Sequence, residues 1–165
     1  MSRPLFRRQV SRCENLQIYD ANWSIIKHNL DSAEDKRTQL RHAYGDLIST
    51  FEFFCAAKAK KLTNETVNFQ GLFEARKFFK EHVNADILSE VRPSELLSLR
   101  RAFQKRHVCI HARGIITEKY VKMIPEDKML LGRQVELSEK ELEEAASAMR
   151  IALGVLVKNL ERPGK

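Results

Sequence analysis

The stretch from residue 93 to residue 114, PSELLSLRRAFQKRHVCIHARG, contains one complete predicted helix together with the signals that begin and end it. Pro93 fits the first turn, where its missing N–H does no harm. Gly114 suits the left-handed conformation that often follows a helix. Apolar residues at helical spacing predict one buried side; they are Leu96, Leu99, Phe103 and Ile110, with His107 as a candidate member.

The rest of the chain shows the same helical spacing on both sides of this stretch. Further helices are predicted at about residues 5–30, 33–62 and 69–83. A last helix begins at Ser138, which forms a capping-box pattern with Glu141. Residues 115–137 are predicted to be an irregular loop with at most one short strand. The sequence therefore predicts an all-α fold, an up-and-down bundle of five or six helices in a single domain over residues 1–165.

The composition indicates a folded, basic domain with a polyanionic partner. The chain has 165 residues and a net charge of +7 at neutral pH, which favours nucleic acid as the partner. Its three cysteines lack CxxC spacing, which fits a reducing compartment better than a disulfide framework. The first residues lack the apolar run of a signal peptide, and no stretch is as long as a membrane span. We therefore expect a cytoplasmic protein without a membrane partner.

Positive charge is concentrated between residues 96 and 117, a segment without a single Asp or Glu. A guanidinium can hold a phosphate through paired hydrogen bonds, and an imidazole can move a proton near neutral pH. Together they suffice to cleave RNA without a metal or another cofactor. The predicted catalytic residues are Arg106, His111 and His107, and the predicted RNA-binding residues are Arg100, Arg101, Lys105 and Arg113.

The spacing of Arg106 and His111 resembles the Arg-x4-His signature of HEPN domains, which are small helical ribonucleases. Many of these domains have a polar residue directly after the arginine, the position that His107 occupies here. Residues 103–120 resemble a longer run that is typical of prokaryotic HEPN-like proteins, and the similarity extends over roughly residues 36–160.

The resemblance implies a metal-independent endoribonuclease that acts as a homodimer with a composite active site. It also implies a toxin or effector of a toxin–antitoxin or antiviral defence system, with an antitoxin or other partner protein. Some HEPN toxins carry a tyrosine two residues after the histidine, and an antitoxin modifies it. Arg113 stands at that position here, so the resemblance does not extend to this form of neutralisation.

The predicted chemistry begins with His111, which would take the proton from a ribose 2′-OH. The oxygen would attack the adjacent phosphorus while Arg106 holds the non-bridging oxygens. His107, or His111 of the partner subunit, would protonate the leaving 5′ oxygen. The products would carry 2′,3′-cyclic phosphate and 5′-OH ends.

Helix geometry gives a separate reason to expect two copies of the chain. Residues five apart point about 140° from each other on a regular helix, so Arg106 and His111 are not expected to share a face. A two-fold axis beside the helix would bring both copies of each residue together. Asp46 and Glu52, on the second predicted helix, are candidates for carboxylates that orient Arg106 or His111.

Structural roles and other functions remain alternatives. Arg106 could pair with an acid of the second helix, His107 could pack in the core, and His111 could stabilise the helix C-terminus. His107 and His111 could also hold zinc, although Val108 stands where metalloproteases have Glu. The alternative functions are an inactive HEPN-like module that binds RNA, a nucleotide or a partner, and a basic helical DNA-binding regulator.

Overall fold

The computed structural model describes the backbone of residues 3–162 and the side chains of residues 16–162. This part of the chain contains six α-helices and one short 3-10 helix (Pro125–Leu130). The α-helices are α1 (Arg3–Asp31), α2 (Lys36–Thr63), α3 (Leu72–Val83), α4 (Pro93–His111), α5 (Glu118–Met123) and α6 (Glu139–Leu160). Within residues 3–162 there is no strand, only an isolated antiparallel bridge between Ile115 and Gln134. The predicted all-α bundle is confirmed.

Helix α4 packs against both α2 and α6, while α1 covers the opposite side of the same two helices. Leu99, Ala102 and Phe103 of α4 are buried in the main core. The ring of Phe103 meets that of Phe51 from α2 edge to face, with 5.5 Å between ring centroids. Burial of a side chain as large as Leu99 or Phe103 stabilises the fold by about 1.5–3 kcal/mol. The prediction for Ile110 was wrong, because this residue lies past the edge of the core and is 58% exposed.

Side-chain caps set where α2 and α6 begin. The Asp35 carboxylate accepts a hydrogen bond from the Thr38 backbone N–H, so α2 starts at Lys36, slightly later than the spacing predicted. The Ser138 hydroxyl accepts one from the Glu141 N–H at the start of α6, as the capping pattern predicted. After the C-terminal end of α4, Gly114 adopts a positive φ of 77°, which glycine tolerates without steric conflict.

The expectation of an irregular loop between residues 115 and 137 was wrong for residues 118–130, most of which are helical, whereas residues 131–137 are irregular. Thr117 caps α5 by accepting a hydrogen bond from the Tyr120 N–H, and Pro125 opens the 3-10 helix. These short elements form because they bury a second, smaller apolar cluster against the end of α4. Its buried members are Val108, Ile116, Tyr120, Ile124 and Val135.

A buried carboxylate fastens this segment to α4. Asp127 is only 5% exposed and accepts hydrogen bonds from Arg101 of α4 and from the Tyr120 hydroxyl, the latter at 2.8 Å. Burial alone would raise the pKa of Asp127, but the hydrogen bonds from Arg101 and Tyr120 outweigh it and lower the pKa. The position of residues 118–130 beside α4 therefore depends on this charged contact.

We expect Asp127→Asn to lower the free energy of unfolding by about 2 kcal/mol at neutral pH, because hydrogen bonds to a charged group are lost. Urea unfolding measures this, with Glu126→Gln as the control because Glu126 is a more exposed neighbour. The lowered pKa means that Asp127 stabilises the fold above the ordinary carboxyl pKa and loses this effect as the pH falls. The difference between wild type and Asp127→Asn should therefore shrink in acid. Equal destabilisation by the two variants would contradict the assignment.

Candidate active site

The side of α4 that faces away from the core forms the floor of a groove of about 720 Å³. Its walls are Glu52 of α2, residues 69–74 before and at the start of α3, and Lys119, Met123 and Ile124 in and after α5. We call this cavity the α4 groove. The titratable side chains that line it are Glu52, Glu74, Arg100, Arg106, His107, His111 and Lys119.

All three predicted catalytic residues line the α4 groove of a single chain. Arg106 and His111 were predicted to face apart on α4, and both nevertheless border this groove. The cavity extends around α4, from Glu52 of α2 on one side to Lys119 of α5 on the other, and so meets both residues. A second chain is therefore not needed to bring these residues to one cavity, and the homodimer stays a prediction.

The two histidines lie side by side on α4. The ring centroids of His107 and His111 are 4.7 Å apart, and the planes are tilted by 47°. His107 is half-buried, whereas His111 is exposed at the last turn of the helix. Burial lowers the pKa of His107, and the nearby charges of Lys119, His111 and Arg106 lower it further. The lowered pKa favours the neutral form of the His107 ring.

Arg106 contacts Glu52, at 3.4 Å between Nη1 and Oε1. Its Nε atom is buried and has no hydrogen-bond partner among the described residues. Burial raises the pKa of Glu52, and the Arg106 charge opposes this rise. Asp46, the other candidate carboxylate, is exposed and lines a different cavity, between α1 and α2, together with Phe53. Of the two predicted carboxylates, only Glu52 lies at the groove.

Two of the four predicted RNA-binding residues hold the fold together instead. Arg101 binds Asp127, as described above. The Lys105 ammonium is buried, lies 2.6 Å from the Glu141 carboxylate and donates to the Glu136 carbonyl oxygen at 2.7 Å. The expectation that Arg101 and Lys105 contact RNA is therefore corrected. Each of the two cations already forms a salt bridge with a carboxylate that is distant in sequence.

The other two predicted RNA-binding residues have different positions. Arg113 is exposed beyond the end of α4 and does not line the groove. Arg100 lines it, although its guanidinium also donates to the Met123 carbonyl oxygen and lies 3.6 Å from Glu126. The sequence interpretation missed Lys119, an exposed lysine of α5 that brings a further positive charge to the groove. Lys119 comes close to α4 only because α5 packs against that helix, which the sequence alone does not reveal.

Neither a membrane-spanning helix nor a metal-ligand cluster is present in the part of the chain that the structure describes. No helix there is long and apolar enough to cross a membrane. No three His, Cys, Asp or Glu side chains of that part are grouped so that they could hold a metal ion. His107 and His111 thus lack a third such ligand among the described residues.

No protein-family model matches the chain, and no curated protein or solved structure is significantly similar to it. The resemblance to HEPN domains therefore rests on the motif residues themselves.

The arrangement predicts how the His107 ring responds to Lys119. Lys119→Gln removes a positive charge that disfavours imidazolium, so the pKa of His107 should rise towards its ordinary value. NMR titration of the imidazole signals measures this directly. Lys122→Gln is the matched control, since Lys122 is an exposed lysine of the same helix that does not line the groove. An equal rise in both variants, or in neither, would contradict the proposed geometry.

Proposed function

We propose that the protein is a metal-independent endoribonuclease whose active site is the α4 groove. The observation that carries the proposal is that Arg106, His107 and His111 line one groove of one chain, with the two imidazoles 4.7 Å apart. The Arg-x4-His resemblance to HEPN domains supports the same activity. A role as a toxin or effector in prokaryotic defence or toxin–antitoxin biology follows from that resemblance and belongs to the proposal.

The proposed reaction is an internal transesterification. The 2′ oxygen of a ribose attacks the neighbouring phosphorus, and the bond from phosphorus to the 5′ oxygen breaks. One imidazole accepts the 2′-OH proton, and the other donates a proton to the 5′ oxygen. Arg106 binds the non-bridging oxygens, where negative charge builds up in the transition state. The products are a 2′,3′-cyclic phosphate and a 5′-OH.

The surroundings of the two rings favour an assignment of roles that reverses the one expected from sequence. His107 is kept neutral by burial and by neighbouring cations, which suits the general base. His111 is the other ring of the pair and is exposed to solvent, so it takes the remaining role of general acid. We therefore assign the base to His107 and the acid to His111.

Incubation with RNA in the presence of EDTA tests the activity. The wild type should release fragments with cyclic-phosphate ends, and Arg106→Ala, His107→Ala and His111→Ala should each cleave about 100-fold more slowly or worse. His42→Ala is the matched control, because His42 is exposed on α2 and does not line the groove. Cleavage that needs a divalent ion, or that survives all three substitutions, would contradict the proposal.

One observation favours a second candidate function, that of an inactive module that binds RNA or a nucleotide. The Glu52 carboxylate already lies 3.4 Å from Arg106, so a phosphate would have to compete with it for the guanidinium. Glu52→Gln separates the two functions. It should speed cleavage or tighten substrate binding if Glu52 merely competes with the phosphate in an active enzyme. RNA binding without cleavage by wild type and by Glu52→Gln would instead identify the inactive module.

A further inference from the structure

The α4 groove contains an aromatic side chain that the proposed cleavage chemistry does not use. Phe73 is the second residue of α3 and lines the groove, yet it is 42% exposed. Helical spacing alone predicts Phe73 on the inner side of α3. Its neighbours Phe69, Phe78 and Phe79 pack together with ring centroids 5.1–5.8 Å apart, and Phe73 is not part of that group. A large aromatic surface is thus left open to the cavity.

Two carboxamides lie in the same cavity. Gln70 precedes α3 and Gln104 belongs to α4, and both line the same groove as Phe73. A carboxamide carries both donors and an acceptor, the combination that can hydrogen-bond the Watson–Crick edge of a nucleobase. The groove therefore combines an open aromatic ring, amide groups that could bond a base edge and the cations Arg106 and Lys119.

This combination has the chemistry of a single-stranded nucleic-acid site rather than of a duplex site. Aromatic side chains bind unpaired bases by stacking, while cations bind the phosphates beside them. In a duplex, both faces of each base are already covered by its neighbours, and an open ring gains nothing. A volume of about 720 Å³ also lies in the range of small-molecule pockets, which suits one or two nucleotides.

We propose that Phe73 is a stacking platform for an unpaired base of RNA, so that single-stranded RNA is the substrate class of the α4 groove. The inference rests on the proposed function, since it takes the phosphate next to that base to be the one held by Arg106. Gln70 and Gln104, which line the same groove, would supply the amide groups for the edge of the stacked base. Phe73 is thus a binding residue, and the bond-breaking steps belong to the two histidines.

Fluorescence of a short RNA that contains one 2-aminopurine tests the proposal without requiring cleavage. The protein carries His111→Ala, so that the RNA stays intact, and stacking on an aromatic ring quenches the probe. Phe73→Ala in this background should remove the quenching and weaken binding about tenfold or more. Phe73→Trp should restore both, because tryptophan offers a larger stacking surface.

Phe53→Ala is the matched control, because Phe53 is an 81% exposed phenylalanine in the other cavity. It should leave quenching and affinity unchanged, and circular dichroism should show all variants equally folded. The same sequence in a duplex should bind at least tenfold more weakly than the single strand. Unchanged binding by Phe73→Ala, or equal affinity for the duplex, overturns the proposal.

The outcomes separate this inference from the proposed function. If wild-type protein cleaves RNA and Phe73→Ala binds and cleaves equally well, the stacking site is wrong and the ribonuclease stands. If quenching depends on Phe73 but wild-type protein never cleaves, the base site stands and the ribonuclease is wrong.

Discussion

The packing of α4 between α2 and α6 is the constraint on which the rest of the structure depends. Leu99, Ala102 and Phe103 must be buried for the bundle to form, and this fixes the rotation of the helix about its own axis. Once that rotation is fixed, Arg106 and His107 lie at the edge of the core and line the groove. The same burial that stabilises the bundle therefore places the candidate catalytic groups.

The second structural requirement is that residues 118–130 close one wall of the groove. A short helix such as α5 has little stability of its own in water, since helix nucleation is unfavourable. The Asp127 contacts to Arg101 and Tyr120 provide this missing stability, together with the burial of the small apolar cluster. Lys119 lies at the groove only because this segment packs against α4. Its positive charge is one of those that lower the pKa of His107.

Local signals in the sequence were enough to predict the long helices and their ends. Pro93, Gly114 and Ser138 act through their own backbone or through a partner three residues away, so the chain itself reveals them. The roles of Arg101 and Lys105 were not predictable in this way, because their carboxylate partners lie far along the chain. Counting basic residues in the sequence therefore gives more cations than the folded protein offers to a ligand.

The groove was predictable only in part for the same reason. The motif pointed to Arg106, His107 and His111, and an angular argument on one isolated helix then placed Arg106 and His111 apart. That argument omitted the neighbouring elements, which shape a cavity wide enough to meet both residues. For Phe73 the neighbouring elements matter in the opposite way. Helical spacing predicts that its ring is buried, but the structure leaves it exposed at the wall of the groove.

The central claim is that one chain brings His107 and His111 to one RNA phosphate. The most direct measurement is an NMR titration of the ¹⁵N-labelled imidazoles with a single-stranded RNA that carries 2′-O-methyl groups and cannot be cleaved. The account predicts that the signals of His107 and His111 shift together with RNA concentration while that of His42 stays in place. Binding that leaves both signals unchanged, or moves only one of them, would contradict it.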